Sequence, residues 1–445
     1  MPSIQQITHP IQHWFRSPPL RPLTLALSFT LTLLLIILPA LSQRPIELTF
    51  LMLAPETPGF LPLIEEFETQ NPGIKLTMVE GPNSPNLVED LTTSAFLLGS
   101  APYDLIHMDV VWAPKFAAAG WLMDLSDRLS PTDLADYLTT GLESGRYEGG
   151  LYRVPWRSDA GLLYYRQDLL EPPDSPPPET FEQLSDIAQT LQEQDATDWG
   201  YLWQGKQYEG VAAMFVEVLA GFGGVWIDPE TKAVGLDQPQ AIAAVEYLIS
   251  TINNGISPSG VTTYQEEETR RLFQNGRAAF MRNWPYAYPL LNADDSAVKG
   301  NVGIKPMVYA PGGESAACLG GWGWGIASTT PHPEEAWKVM QFFNNVETQR
   351  GYILQTGYLP SRRSLYRDPA IVEQYPYFPE MLEVLENAAL RPPIAQYAQA
   401  SDILQRYLSA AFSGRMSAES AMGSAARETR SLLGQTNPRE VADGG

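Results

Sequence analysis

The 445-residue sequence has one cysteine and four histidines. A single cysteine, Cys318, excludes an internal disulfide bond and a cysteine-based metal site. His9 and His13 lie in an N-terminal segment that does not look like part of a folded domain, so the rest of the chain has too few histidines for a histidine-rich metal site. We therefore expect neither a metal ion nor another cofactor.

Basic residues are also scarce. The chain has 29 lysines and arginines against 51 aspartates and glutamates, a formal net charge of -22. This balance argues against nucleic acid and against anionic lipid surfaces as partners. With 44% hydrophobic and 18% charged residues the chain is globular rather than disordered, and its length suggests two or three domains.

Residues 1–42 have the order of a secretory signal. Arg16 and Arg21 precede the apolar run Leu23–Leu38, and small residues follow up to Ser42. The run has about 16 residues, slightly short of the ~20 that a membrane-spanning helix needs, which favours cleavage after Ser42 over a retained N-terminal membrane anchor. No cysteine follows the run to take a lipid. We expect a periplasmic or extracytoplasmic protein, secreted by this signal or anchored by it to the inner membrane.

Two aromatic clusters are the most informative feature of the folded part. Phe280–Tyr288 places Trp284 beside polar residues after a short buried strand, and Gly320–Gly325 contains Trp322 among glycines. We expect both clusters at strand ends, where loops mount binding groups on a rigid scaffold. Flat rings beside polar groups suit a sugar, with its apolar C–H faces and its rim of hydroxyls; buried core packing is the equally weighted alternative.

The alternation of strands and helices begins at Ile46. Ile46–Leu53 predicts a strand, Gly59–Gln70 a helix and Ile74–Met78 a second strand. This unit favours a parallel sheet, which binds ligands beyond the carboxyl ends of its strands. Glu56 lies at such an end, although a solvated loop glutamate is the commoner case.

Asp109 follows another predicted strand, Asp104–Met108. Its carboxylate either accepts hydrogen bonds from a ligand or caps the next helix. Thr180 and Gln183 predict a capping box at a helix start. Further helices are predicted at Pro333–Arg350, Glu380–Ala389, Ser401–Phe412 and Ser417–Leu433.

The run W-Q-G-K-Q-Y-E-G at 203–210 resembles the extracellular solute-binding proteins of ABC importers, of the trehalose/maltose-binding type. The similarity continues at Arg282–Ala287 and Leu319–Trp322, and earlier at Asp109–Trp112 and Asp159–Arg166. It spans nearly the whole chain after the N-terminal segment. These motifs indicate the family more specifically than they indicate the ligand.

The resemblance implies an α/β, two-lobed periplasmic-binding-protein fold of type II, like that of maltose-binding protein, with three inter-lobe crossings. We place these crossings near Asp159, Cys318–Gly321 and Pro360–Arg363. Lobe 1 then comprises 43–158 and 322–360, and lobe 2 comprises 159–321 and 361–445, with 1–42 as the signal peptide or anchor.

By the same resemblance, one sugar is held in the cleft between the lobes. Two aspartates and a loosely aligned glutamate of this chain match the carboxylates of the family's cleft. Two tryptophans match the stacking rings of that cleft, a glycine matches its backbone contact and one arginine matches its arginine. The expected ligand-binding residues are Glu56, Asp109, Asp159, Trp284, Gly321, Trp322 and Arg391. Weaker candidates are Trp112, Arg157, Tyr358 and Tyr397.

Two departures from the trehalose/maltose type border the expected cleft. Arg157 stands where that type has an aromatic residue, and no arginine occurs near Asn86–Leu87, where that type carries arginines. A related glucoside such as glucosylglycerol, or sucrose, is therefore an alternative to trehalose or maltose.

The function that the resemblance implies is the substrate-binding subunit of an ABC importer. Such a subunit captures a disaccharide or glucoside, delivers it to permease subunits in the membrane and works as a monomer without catalysis. One alternative is a sensor or adhesin that uses the same cleft without transport. Another is a glycoside hydrolase with paired carboxylates, against which we note that no acid has the apolar sequence surroundings that mark a raised pKa.

Overall fold

The computed structural model describes residues 44–99, 102–170 and 176–435. The predicted signal segment 1–42 lies outside the described residues. None of the helices within these three ranges is both long and apolar enough to cross a bilayer. The same ranges hold no group of three or more histidine, cysteine or acidic side chains placed to bind a metal ion.

Twelve strands are described, together with short 3-10 turns at Ala54–Glu56, Gln167–Leu169, Ser259–Thr263 and Arg363–Arg367. The strands are β1 (Ile46–Leu53), β2 (Ile74–Gly81), β3 (Leu105–Asp109), β4 (Arg146–Tyr147), β5 (Gly150–Leu151), β6 (Val154–Ala160), β7 (Leu162–Arg166), β8 (Trp199–Leu202), β9 (Ala278–Asn283), β10 (Val302–Pro306), β11 (Leu319–Ile326) and β12 (Leu359–Pro360).

Sixteen α-helices are described in the same ranges. They are α1 (Thr57–Gln70), α2 (Pro85–Leu97), α3 (Ala113–Ala118), α4 (Pro131–Asp136), α5 (Thr139–Glu143), α6 (Phe181–Glu193), α7 (Glu209–Gly221), α8 (Pro239–Asn253), α9 (Glu266–Gln274), α10 (Ala287–Leu291), α11 (Pro333–Asn344), α12 (Val346–Thr356), α13 (Pro369–Gln374), α14 (Phe378–Glu386), α15 (Tyr397–Phe412) and α16 (Ala418–Leu432).

Two four-stranded sheets carry the fold. One has the strand order β12-β6-β11-β3 and the other β10-β7-β9-β8. The first sheet pairs its strands antiparallel, and in the second sheet only β8 and β9 run parallel. The parallel pairing expected from the sequence concerned β1 and β2, which form a separate two-stranded sheet, and it stays a prediction. The two sheets that carry the site are mostly antiparallel. Hydrophobic alternation indicates which face of a strand is buried, but it does not contain the direction of a neighbour more than 100 residues away.

The chain passes from the first sheet to the second at Gly161. β6 ends at Ala160 and β7 begins at Leu162. A Cβ atom on Gly161 would lie 1.7 Å from a carboxylate oxygen of Glu217, so this passage needs a residue without a side chain. It lies next to Asp159, where the sequence predicts the first crossing.

The second aromatic cluster was expected at a strand end, but it lies inside β11. All eight residues of Leu319–Ile326 are buried, and β11 is paired on both sides, by β6 and by β3. Glycine usually weakens a strand, which is why the pattern suggests a loop. Here the glycines permit close backbone approach: a Cβ on Gly323 would lie 2.5 Å from the Val154 carbonyl oxygen.

The helix predicted over Pro333–Arg350 is two helices. α11 ends at Asn344, and Asn345 caps α12 by accepting a hydrogen bond from the Thr348 backbone N–H at 2.8 Å. The capping box of Thr180 and Gln183 is present at the start of α6, as the sequence predicts.

The C-terminal helices pack in two different places. α14 packs against β6 and α5, whereas α15 packs against α7 and α8, and α16 packs against α8 and α15. The lobe boundary predicted at residue 361 lies before α13 and α14, and it remains a prediction.

Candidate ligand-binding site

A cleft of about 670 Å³ lies between elements of the two sheets. The seven principal residues expected from the sequence all line it: Glu56, Asp109, Asp159, Trp284, Gly321, Trp322 and Arg391. Of the four weaker candidates, Arg157 and Tyr358 line the cleft as well. Trp112 and Tyr397 are not among the described residues that line it; each contacts a residue that does.

The pairing register of the first sheet places three residues of the cleft wall side by side. Trp322 on β11 faces Asp109 on β3 on one side and Arg157 on β6 on the other. The ladder shifts register just after Trp322, and Gly321 has φ of 126°, a region that residues with a side chain rarely adopt. Residues 109, 157 and 322 thus become neighbours through pairing alone.

Arg157 joins two carboxylates at the base of the cleft. One Nη of its guanidinium donates to Glu56 Oε1 at 2.8 Å and the other donates to Asp159 Oδ2. The guanidinium carbon lies 4.2 Å from the centre of the Tyr358 ring. Within the described residues, Glu56 Oε2 and Asp159 Oδ1 are buried without a hydrogen-bond partner.

Burial raises the pKa of Asp159 to about 6, against the lowering effect of Arg157 and with a further increase from Glu56. The main physical cause is that burial removes water from around the charged carboxylate, and the negative charge of Glu56 nearby disfavours the ionised form further. The argument from the sequence, that no acid has the apolar surroundings that mark a raised pKa, therefore fails for Asp159. Sequence neighbours did not reveal it, because the burial comes from strands that are distant along the chain.

Arg391 joins a second pair of carboxylates. Its guanidinium donates to Asp109 Oδ1 at 2.9 Å and to Glu209 Oε1 at 2.6 Å. Glu209 also accepts hydrogen bonds from the Ser401 hydroxyl at 2.6 Å and from the Tyr397 hydroxyl. Tyr397 therefore acts on the cleft through Glu209 rather than by lining it.

Of the two roles that the sequence left open for Asp109, capping of the next helix is wrong, and ligand binding stays a prediction. Its Oδ1 accepts a hydrogen bond from the Val111 backbone N–H at 3.2 Å, which holds the turn that follows β3. The N-cap of α3 is Trp112, so Asp109 does not cap that helix. The same carboxylate is paired with Arg391 and lines the cleft.

Trp322 is held from behind by other aromatic rings. Its indole stacks on His107, with ring centres 4.9 Å apart and planes 20° apart, and meets Trp112 edge-on at 5.3 Å. Burial lowers the pKa of His107 well below its usual value, with Arg157 and Arg153 adding to the effect. A neutral imidazole therefore lies under Trp322, and Trp112 supports the ring instead of facing the cleft.

Trp284 is fixed at its ring nitrogen, at its face and at its edge. Its Nε1 donates to Glu266 Oε1 at 3.2 Å, and the guanidinium of Arg282 lies 3.9 Å from the centre of its ring. The edge of the indole lies against the backbone of Gly320, where an added Cβ would come within 3.0 Å of it. Nearby, the Tyr286 hydroxyl donates to Glu267 Oε1 at 2.9 Å.

Comparison with known proteins identifies the family of this chain. Residues 54–350 match the family described as bacterial extracellular solute-binding protein. The chain is 32% identical over 315 residues to a probable ABC transporter-binding protein of Deinococcus radiodurans, over 70% of this chain and 74% of the relative. The chain belongs to the bacterial extracellular solute-binding proteins.

Two solved structures have a similar fold. A maltose-bound protein of T. maritima, MalE3, matches with a TM-score of 0.82 and 37% identity, over 87% of this chain and 100% of that chain. A ribitol complex of an ABC transporter solute-binding protein from Agrobacterium radiobacter matches with a TM-score of 0.79 and 25% identity, over 88% of this chain and 99% of that chain. The family resemblance and the two-lobed type II fold expected from the sequence are confirmed.

Several residues on the cleft wall of this solute-binding protein were missed by the sequence reasoning. Glu209 and Tyr208 lie in the run 203–210, which indicated the family but suggested no individual role. Glu266 and Glu267 begin α9 and carry no motif, so their sequence offers no signal. They reach the cleft because α9 packs against β9, the strand that leads into Trp284.

Proposed function

We propose that this solute-binding protein captures a disaccharide or glucoside in the cleft and delivers it to the permease of an ABC importer. The observation that carries the proposal is that Trp284, Trp322, Glu56 and Asp159 line one cleft of about 670 Å³. Each of the two carboxylates also has a buried oxygen without a partner in the described part of the chain. Within the described residues these oxygens accept no hydrogen bond from the protein. Ligand hydroxyls are the donors that suit them.

The free energies of these contacts are sufficient for micromolar binding of a sugar. A micromolar complex needs ~8 kcal/mol, and a hydrogen bond to a charged acceptor contributes roughly 1.5–3 kcal/mol. Two or three such bonds together with two aromatic platforms reach that range after ordering costs. Closure of a hinge around the ligand is a known conformational change that would bury both partners.

The relatives narrow the ligand class. The T. maritima structure holds maltose and the Agrobacterium structure holds ribitol, which are both uncharged and rich in hydroxyls. Trehalose, maltose, sucrose and glucosylglycerol are the ligands we put forward for this chain. Arg157, whose guanidinium lies over the Tyr358 ring, occupies the place where the trehalose/maltose type has an aromatic residue, which supports a ligand other than those two.

The location and the partners of the protein follow from the same proposal. A solute-binding subunit works outside the cytoplasmic membrane, in the periplasm or on the outer face of the cell, in line with the signal expected at 1–42. It meets permease subunits in the membrane and acts as a monomer.

A thermal-shift panel tests the proposal. Purified protein is heated with trehalose, maltose, sucrose, glucosylglycerol and ribitol, each across a concentration series. Since stabilisation follows RT ln(1 + [L]/Kd), a ligand at 100 times its Kd adds ~2.7 kcal/mol and raises Tm clearly. If no saccharide or polyol in the panel shifts Tm, the proposal fails.

A hydrolase is the alternative that one observation favours, namely the raised pKa of Asp159. The guanidinium of Arg157 donates to the same carboxyl group, however, and this contact stabilises the charged form that a general acid must avoid. Incubation with each disaccharide, followed by assay for monosaccharide, separates the two functions. Sustained release that Asp159→Asn abolishes would replace the binding proposal with hydrolysis. The sensor or adhesin is distinguished from a transport subunit by the neighbouring genes. If no permease genes lie beside the gene of this protein, sensing or adhesion is favoured over transport.

A further inference from the structure

The arginines on the cleft wall are already engaged by the protein's own carboxylates. Both Nη atoms of Arg157 donate to Glu56 and Asp159, and both Nη atoms of Arg391 donate to Asp109 and Glu209. Each positive charge is thus already matched by two carboxylates of the protein, while the Nε atom of each guanidinium has no hydrogen-bond partner within the described residues.

The mouth of the cleft adds further negative charge. α9 begins with Glu266, Glu267 and Glu268, which all line the cleft. The third guanidinium group on the cleft wall belongs to Arg271, whose side chain is 70% exposed and whose Nε lies 3.8 Å from Glu267. Among the described residues, seven carboxylates and three guanidinium groups line the cleft.

Two of these carboxylates each have a second oxygen that is buried and accepts no hydrogen bond within the described residues. Glu56 and Asp159 are only 4% and 6% exposed, and within the described part of the chain their second oxygens have no donor. A donor from a ligand or from an ordered water satisfies such a buried acceptor. A ligand that brings another acceptor to this place leaves both groups unsatisfied.

From this arrangement we infer that the cleft selects by charge: it takes saccharides that are neutral or carry an amino group, and it rejects saccharides that carry a phosphate or carboxylate. The inference rests on the proposed function and deepens it, because it concerns the ligand class of the same cleft. An anionic group would face like charges in a partly desolvated space, where repulsion is strong. Hydroxyl and ammonium groups would instead supply the missing donors.

The test compares matched ligands that differ in one charged substituent. Isothermal titration calorimetry measures trehalose against trehalose 6-phosphate and against trehalosamine, maltose against maltose 6′-phosphate, and ribitol against ribitol 5-phosphate. In each pair whose neutral member binds, we expect the anionic member to bind about 100-fold more weakly or not at all. The deficit should shrink at high salt, because screening weakens charge repulsion near the mouth. Trehalosamine should bind at least as tightly as trehalose if trehalose binds.

A matched pair of variants locates the effect. Glu268→Gln removes a charge at the mouth and keeps an acceptor for the Gln265 backbone N–H, which Glu268 now caps at 2.9 Å. The Glu268→Gln substitution should reduce the affinity ratio, which is the factor by which a neutral ligand binds more tightly than its anionic partner. Glu246→Gln removes a charge from the exposed surface of α8, outside the cleft, and should leave this ratio unchanged.

The outcomes separate the two proposals. An anionic ligand that binds as tightly as its neutral partner overturns the charge inference and leaves the proposed function standing. A change of the affinity ratio that is equal in the two variants also overturns it, since the charge at the mouth would then have no special role. Failure of all the tested ligands to bind overturns the proposed function and this inference with it.

Discussion

The guanidinium of Arg282 lies 3.9 Å from the centre of the Trp284 ring. Arg282 is fully buried, and its Nε donates to Glu217 Oε2 at 2.8 Å while an Nη donates to the other oxygen of the same carboxylate. Burial alone would lower the pKa of Arg282, but the Glu217 carboxylate raises it above its usual value. A buried ion pair thus lies against the ring of Trp284 and supports this cleft residue from within the protein.

Removal of Glu217 should destabilise the protein strongly. Glu217→Leu leaves the Arg282 guanidinium buried without its countercharge, and breaking a buried pair in this way costs about 3–5 kcal/mol of the free energy of unfolding. Urea denaturation measures the change.

The control is an exposed pair of the same chemistry. Asp198→Asn removes the partner of Arg277, with which it pairs at 2.6 Å and with both side chains more than half exposed. This change should cost no more than ~1 kcal/mol. Equal losses in the two variants would contradict the special role of the buried pair.

Trp284 should contribute directly to ligand affinity. Trp284→Ala removes the aromatic platform on the cleft wall and should weaken binding by about 2 kcal/mol or more, roughly 30-fold in Kd. Calorimetry with the tightest saccharide of the panel measures it. Trp337→Ala, which alters a tryptophan packed against Arg128 away from the cleft lining, should keep the affinity. An unchanged Kd in Trp284→Ala would show that this ring is structural.

Gly320 should be needed for the shape of the cleft. An alanine Cβ at this position would lie 3.0 Å from the Trp284 ring and 3.1 Å from the Asp159 Cβ, so one of these side chains must shift. We expect Gly320→Ala to weaken binding at least ~10-fold while the protein stays folded, since small displacements of binding groups are costly. Gly73→Ala, whose Cβ meets nothing within 4 Å in the described part, should leave Kd unchanged. Similar Kd values in both variants would refute the expectation.

Ligand binding should weaken as the pH falls through about 6. Asp159 must be ionised to accept hydrogen bonds from ligand hydroxyls, and its pKa is raised to about 6 by burial, with Arg157 opposing and Glu56 adding to the shift. At pH 5 about a tenth of the sites are then ionised, so Kd should rise roughly 10-fold relative to neutral pH. Calorimetry between pH 4.5 and pH 8 measures the profile, and a flat profile in the native protein would contradict it. Asp159→Asn should remove this pH dependence.

The stability of the unliganded protein should respond to the same group with the opposite sign. Because the folded-state pKa of Asp159 is raised above the ordinary aspartate value of 3.8, the folded state binds the proton more tightly than the unfolded state. The contribution of Asp159 to stability is complete below pH 3.8 and is lost as the pH rises through about 6. The difference in unfolding free energy between the native protein and Asp159→Asn, measured by urea denaturation across this window, should change in that direction. A difference that does not vary with pH would argue against the shift.

Much of the fold was accessible from local patterns. The helix start at Thr180, the strand before Trp284 and the strand before Asp109 were predicted because capping residues and hydrophobic alternation are local signals. The single helix over Pro333–Arg350 was wrong, since the hydrophobic pattern continues through the break at Asn345. The strand β11 was taken for a loop because its glycines serve neighbouring strands, which a local pattern does not show.

The chemistry of the cleft was accessible only in part. The residue types at Glu56, Asp109 and Asp159 were expected to meet ligand hydroxyls. That two arginines pair with these acids, and that Glu209 from α7 joins them, follows from strand register and helix packing. The raised pKa of Asp159 depends on the same assembly.

The order of residues along the chain was enough to indicate the family, the alternation of strands and helices and the tryptophans and acids that a sugar site requires. These features can be recognised from neighbouring residues and from motifs. Which carboxylates keep a free oxygen, and which are neutralised by an arginine, was decided only when strands from distant parts of the sequence paired and excluded water. Electrostatic interactions depend on distance and burial in space, and neither quantity is contained in separation along the chain.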